Sequence, residues 1–398
     1  MRSDRAAGTR WLILFSLLWA SVSAPLNQFK VPPVLPILLQ PFDLSGTQAG
    51  LLMSLFAATG LVVAIPAGLI FQRIGYRISG LLAVASVMAG STIGALSHST
   101  GTLLASRVIE GSGMSLLAVL APSVIALWFP ANQRGAAMGI WAAWLPVGAI
   151  TMFLAAPSLA LRWNWQGVWW FGCLFAAVGW ILFFLFVKPP PGSGVPTSAS
   201  PTHHRFTVRD LTSALGNPDL WLISLVFFCF TFCVNAFSTW LPSFLYLSHG
   251  IALDKSSHLT ATLPLLFMFM APLGGWLSDR TGFRKTMCLV PMCLSAVLCP
   301  LAALVGGEHI LLLLITLGCL LGFVPTWIFL AGTKTVRDGR LGGIAMSALV
   351  VGLNMGMLLG PPFFGWVVES SGDWGLGFWA LAPFSIAGAV AIKLTKVR

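Results

Sequence analysis

Charge is the scarcest property of this chain. Asp, Glu, Lys and Arg make up only 8% of its 398 residues, against about a quarter in ordinary soluble domains. A soluble globular fold is excluded on that ground. Acids are scarcer than bases, with 11 Asp and Glu against 22 Lys and Arg and a net charge of +11. An intramembrane enzyme would need paired acids, a metal cluster or a nucleophile with its base, and the sequence offers none of them. No Gly-x-x-x-x-Gly-Lys run occurs, so ATP drive is unsupported, and no catalytic residue, metal or cofactor is expected. The seven cysteines, Cys173, Cys229, Cys233, Cys288, Cys293, Cys299 and Cys319, all fall in apolar runs. They predict core packing, with no disulfide framework. Cys229 and Cys233 share a helix face, but no His or carboxylate joins them.

What remains is apolar. Hydrophobic residues reach 57% and mean hydropathy is +0.89, which points to a polytopic membrane protein. Apolar runs cover 11–38, 48–71, 77–97, 101–129, 135–158, 167–187, 219–247, 257–277, 286–306, 309–331, 341–367 and 374–392. Each is long enough to cross a bilayer of about 30 Å. Pro and Gly interrupt many of them, as membrane helices tolerate. The expectation is an all-α fold with twelve transmembrane helices.

The basic residues orient these spans. Eighteen Lys and Arg fall at the termini and in the even-numbered loops, and only Arg162 and Lys255 on the other side. This predicts cytoplasmic termini. The basic residues sit in short clusters between spans, not on a soluble basic face, so nucleic acid is not an expected partner. The first 24 residues resemble a signal peptide, ending Val22-Ser23-Ala24. Cleavage would leave Pro25 as the first residue and remove half of a repeat, so the segment is read as a true first span. Residues 188–218 carry Pro, Gly, Ser, Thr and His in place of the apolar pattern and read as a cytoplasmic linker. The domains are expected to be 1–187, a linker over 188–218, and 219–398.

The two sides repeat one another. Gly68, Arg73, Gly75 and Arg77 follow the second span. Gly275, Arg280, Gly282 and Arg284 follow the eighth, each 207 residues later. Asp279 has Gln72 as its counterpart. This repeated loop resembles the signature of the major facilitator superfamily. Leu103-x-x-x-Arg107-x-x-Glu110-Gly111-x-Gly113 resembles that superfamily's fourth-helix motif, and Arg134-Gly135-Ala-Ala-Met-Gly139 its four–five loop. The resemblance covers the whole chain. It implies two pseudo-symmetric six-helix bundles working by alternating access, with the loop residues acting as a conformational motif. Two stretches, Arg134 to Pro146 and Gly167-Val-Trp169-Trp170-Phe171-Gly172, more loosely resemble the cyanate-permease-like branch. Helix five has Pro146-Val147-Gly148 where drug–proton antiporters carry Gly-Pro-x-x-Gly, which disfavours drug efflux.

Charges inside a bilayer persist mainly when they face a partner or a cavity. Lys30, Arg107 and Glu110 are the candidates. Arg107 and Glu110, three apart, share a helix face. They read as an ion pair or as a proton-coupling couple in which Glu110 titrates. On the first span, Ser16, Ala20, Ser23, Asn27 and Lys30 form one stripe. On the seventh, Ser224, Phe228, Thr231, Asn235 and Ser238 repeat it 208 residues later. The stripes predict either a polar substrate path or interhelical hydrogen bonds. Lys30, with Ser238 as its counterpart, reads as an unpaired cation on a cavity face that would attract an anion, or as a lysine snorkelling to the interface. The substrate-binding candidates are Ser23, Asn27, Lys30, Trp144, Thr231, Asn235, Ser238 and Asn354. Gly352, Gly356 and Gly360 form a small-residue stripe for close helix packing. The leading function is a secondary transporter of a small inorganic or organic anion, acting as a monomer in a bacterial inner membrane, with a proton as a possible coupling ion. The competing functions are proton-driven efflux of amphipathic compounds and a membrane receptor or sensor.

Overall fold

A computed structural model describes residues 2–187, 216–281, 285–306, 309–335 and 342–397, with only the backbone described for 2–7, 64–72, 131, 278–279, 281, 333 and 342–344. Most of the linker, with His203 and His204, lies outside the described residues, as do Gly282 and Arg284. The described residues form helices and no strand. In chain order these are α1 (Arg2–Gln28), α2 (Val31–Leu39), α3 (Gly46–Ala95), α4 (Thr100–Trp128), α5 (Ala131–Ala142), α6 (Trp144–Phe186), α7 (Pro218–Leu247), α8 (Leu253–Thr260), α9 (Thr262–Thr281), α10 (Thr286–Leu301), α11 (His309–Leu321), α12 (Val324–Lys334), α13 (Gly342–Ser371), α14 (Trp374–Trp379) and α15 (Ala382–Leu394).

Among the described residues, ten stretches are long and apolar enough to cross a membrane, and Thr286–Leu301 is a shorter apolar helix. One of the ten, Asn132–Phe186, contains two of the apolar runs. It is broken at Trp163 and at Asn164, whose φ is 53° and ψ −178°. With that break every run expected from the sequence has a helical counterpart. α3 is broken in the same way at Gly75, with φ 75° and ψ 159°. That left-handed backbone suits a residue without a Cβ, which explains the second glycine of the repeated loop.

The first apolar run is two helices, not one. α1 stops at Gln28 and α2 restarts at Val31 with proline in its first turn. Pro32 and Pro33 have no N–H to donate to the carbonyls four residues back. Pro32 suits the new first turn, where no donor is required. The Gln28 carbonyl is left without its helical donor. Lys30 lies in this break.

The chain folds into two compact units, Met1–Asp43 with Leu55–Pro201 and Leu44–Ser54 with Thr202–Arg398. In the first, α1 packs along α6 and against α4. In the second, α7 packs along α13 and α15. The first turns of α3 belong to this second unit. There the Gly46 N–H donates to Glu369 at 2.8 Å.

Candidate functional site

The three intramembrane charges meet beside the α1–α2 break. Lys30, Arg107 and Glu110 are each 0% exposed. Lys30 Nζ lies 2.5 Å from Glu110 Oε1, and Arg107 Nη1 pairs with Glu110 Oε2. One carboxylate therefore bridges two cations. The expectation of an unpaired Lys30 is corrected on this point, as is that of a lysine snorkelling to the interface. A lone ammonium in dry apolar surroundings is too costly to keep, so it takes the nearest acid.

The second cation also repairs the break. Arg107 Nη2 donates to Gln28 O and Nη1 to Asn27 O, both at 2.9 Å. Arg107 thus supplies the Gln28 carbonyl with the donor that Pro32 lacks. Its guanidinium stacks 4.2 Å from the Phe56 ring centre.

Lys30 is held on its other sides by neutral groups. Nζ donates to Asn27 Oδ1 and Ser91 Oγ, both at 3.0 Å, and sits 4.7 Å from the Trp169 ring centre. Ser91 Oγ donates to Trp169 O at 2.7 Å. Asn27 Nδ2 donates to Ser23 O at 2.8 Å and to Gly172 O at 3.2 Å. The cluster therefore draws on α1, α3, α4 and α6. It fits closely, because a Cβ at Gly90 would strike Glu110 and one at Gly94 would strike Trp169. With two bases against one acid, its formal charge is +1.

The rest of the first stripe faces protein. Ser16 Oγ donates to Leu12 O at 2.8 Å and Ser23 Oγ to Ala20 O at 2.6 Å. Beside them, a Cβ at Gly179 would touch Ala20, and one at Gly172 would fall on Asn27. The stripe thus packs on the second part of α6. The α7 stripe packs elsewhere. Ser224 Oγ donates to Ala348 O at 2.8 Å and Thr231 Oγ1 to Leu353 O at 3.0 Å, both on α13. Gly352 and Gly356 lie directly against Ser224 and Thr231. The two stripes match in sequence but meet non-equivalent neighbours. Interhelical bonds form at Asn27, Ser224 and Thr231, whereas Ser16 and Ser23 bond within their own helix.

The remaining candidates scatter. Asn235 Nδ2 donates to Thr231 O and Asn354 Nδ2 to Val350 O, each within its own helix. Ser238 is buried on α7. Trp144 is buried and stacks on Trp141 at 5.4 Å, and Trp141 Nε1 donates to Ser21 Oγ at 3.0 Å. Trp144 lies in the same unit as the charged cluster and takes no part in it, and Asn235, Ser238 and Asn354 belong to the second unit. In the repeated loop, Arg73 is exposed, Arg77 donates to Phe184 O at 2.9 Å, and Arg280 stacks over Trp276 at 4.3 Å. Gly68 and Asp279 lie on α3 and α9 respectively. A Cβ at Gly275 would have Thr326 as its nearest neighbour, at 3.7 Å.

Sequence reasoning missed Ser91, Phe56 and Trp169. For Trp169 the signal was present, since it lies in the run 167–172 that carries the looser resemblance. Ser91 is flanked by Gly90 and Gly94, a small-residue surface that marks close helix approach.

Similarity to known proteins follows the same lines. The chain is 25% identical to the hexuronate transporter of Bacillus subtilis strain 168, over 96% of its own length and 92% of that protein. It is 25% identical to a Cupriavidus necator protein named as a probable sulfoacetate transporter, SauU, over 96% and 91%. In fold it is similar to a bacterial homologue of the human lysosomal transporter Spinster, crystallised inward-facing and occupied. The TM-score is 0.80 at 19% identity, over 97% of this chain and 96% of that one. These similarities do not single out the cyanate-permease-like branch. The family model for the Major Facilitator Superfamily matches residues 17–344 and 265–398, and the chain is a membrane transporter that belongs to that superfamily.

Proposed function

We propose that this protein is a secondary active transporter of a small anion, organic or inorganic. It works by alternating access between bundles formed by 1–187 and 219–398. The observation that carries this reading is the buried cluster of two cations on one carboxylate. An anion entering beside Lys30 and Arg107 completes their neutralisation. At about 4 Å it gains roughly 4 kcal/mol of gross Coulomb energy at an effective dielectric of 20, before desolvation. The names of the hexuronate and sulfoacetate relatives support an anionic cargo. Glu110 competes with the substrate for both cations, so protonation of Glu110 would free them and couple a proton to anion binding.

The test is uptake into proteoliposomes of a hexuronate, sulfoacetate and nitrate, set beside a lipophilic cation, with a pH dye inside. At least one anion is expected to be taken up with protons. Lys30→Gln should lose that uptake and the binding of the same anion in detergent, with Lys30→Arg partly active. Wild-type anion affinity in Lys30→Gln would refute the site. Uptake of the lipophilic cation alone would favour amphipath efflux.

The basic loops support an orientation with both termini and 188–218 in the cytoplasm of a bacterial cell. A single cysteine placed at position 196 is expected to resist membrane-impermeant maleimide in intact cells and to react after lysis. Labelling in intact cells would reverse the orientation.

A further inference from the structure

On the membrane-facing side of the first unit, α3 and α6 leave an open groove of about 610 Å³. Ala85, Met88, Ala89, Thr92 and Ile93 form one wall and Trp180 the other. The Thr92 hydroxyl is turned away to Met88 O at 2.9 Å, so the groove is apolar. Leu82, Ile93, Val178, Ile181 and Phe184 around it are exposed apolar side chains, as expected of a surface facing lipid.

A chain of contacts ties the groove to one guanidinium. Trp180 stacks on Phe184 at 5.5 Å with planes 2° apart, and Arg77 lies over the Phe184 ring at 5.2 Å. Arg77 Nη2 donates to the Phe184 carbonyl at 2.9 Å, capping the last turn of α6 where a cation suits the helix dipole. Arg77 Nε is buried and has no hydrogen-bond acceptor. Among the described residues, Arg77 makes no ion pair with an acid. A guanidinium carries five donors in a fork matched to phosphate oxygens.

We propose that this is a binding site for an anionic glycerophospholipid, with its phosphate on Arg77 and one acyl chain in the α3–α6 groove. The dimensions agree. Ala85 and Ala89 lie roughly 12 and 18 Å along α3 from Arg77 at 1.5 Å per residue. Half of a hydrocarbon core is about 15 Å, so a chain hanging from a headgroup at Arg77 lies against Ala85, Met88 and Ala89. The guanidinium of Arg77, without a carboxylate partner among the described residues, selects the headgroup, and the small alanines make room for the tail. Arg77 thus has a lipid-facing role besides its place in the repeated loop.

The test uses the full-length protein in nanodiscs. Phosphatidylglycerol and phosphatidylcholine carrying the same photoreactive acyl chain are compared by mass-spectrometric mapping. Phosphatidylglycerol is expected to label the 85–93 face of α3 or the turn around Trp180 about fivefold more than phosphatidylcholine, the selectivity of one basic residue near the surface. Arg77→Gln should bring the two lipids to parity. Ala89→Trp, at an exposed position, should remove the labelling from both. Equal labelling by both lipids in the wild type would overturn the headgroup assignment, and labelling unchanged in Ala89→Trp would overturn the groove. Both outcomes can be read even if Arg77→Gln fails to fold.

Discussion

Glu110→Gln is expected to destabilise the folded protein by about 3–5 kcal/mol, whereas Lys30→Gln costs much less. The asymmetry follows from the charge arithmetic of the cluster. Glu110 is the shared partner of two fully buried cations. Neutralising it leaves Lys30 and Arg107 facing each other with no counter-charge in a region of low dielectric. Neutralising Lys30 leaves Arg107 and Glu110 as an intact pair. Glutamine can still donate to Asn27 or Ser91, the neutral partners of Lys30. Thermal unfolding of the purified variants in one detergent measures the difference. A Lys30→Gln loss as large as that of Glu110→Gln would mean the bridge is not shared. The same pair separates stability from binding, because Lys30→Gln should remain folded while losing its anion.

Gly356→Val is expected to leave little folded protein. A Cβ at this position meets Thr231 Oγ1, Phe228 O and, at 2.8 Å, Phe232 N of α7. Main-chain atoms cannot rotate aside, so α13 must move away from α7 along its length. Overpacking of this kind costs typically 1–3 kcal/mol and sometimes more. Val also removes the close approach that lets Thr231 reach Leu353 O at 3.0 Å. Gly139→Ala is the contrasting case. Nothing lies within 4 Å of its added Cβ, and the helix gains up to about 1 kcal/mol of propensity. Yield of monodisperse protein and unfolding temperature check both. A silent Gly356→Val would show that α7 and α13 do not pack in this register.

These two glycines mark what a sequence alone conveys. The superfamily motif singles out Gly139, yet its surroundings are open. The stripe Gly352, Gly356 and Gly360 was legible as a packing face because its spacing is helical. Its partner was not legible, since spacing on one helix says nothing of which helix lies opposite. The same limit governed the polar stripes. An offset of 208 residues aligned α1 with α7, but a shift of even one residue rotates a helix by about 100°. Equal positions in the repeat therefore do not guarantee equal neighbours. The number and order of spans were legible because transfer to lipid depends on composition over some 20 residues. The pairing of Arg107 with Glu110 was legible because it is local. The approach of Lys30 to Glu110 was not, because it spans 80 residues and depends on which face of α1 packs against α4.

The uneven cluster of two cations and one carboxylate also bears on electricity. A membrane potential acts on any net charge that moves through its field, with about 2.3 kcal/mol per elementary charge per 100 mV. In the proposed cycle an empty carrier holding +1 in its interior would feel that field during reorientation, and one loaded with a monovalent anion and a proton on Glu110 would also hold +1 and feel it equally. With a negative cell interior both forms would be drawn toward the inward-facing side, so voltage would favour the loaded inward step and oppose the empty return by the same amount, with no net charge moved per cycle.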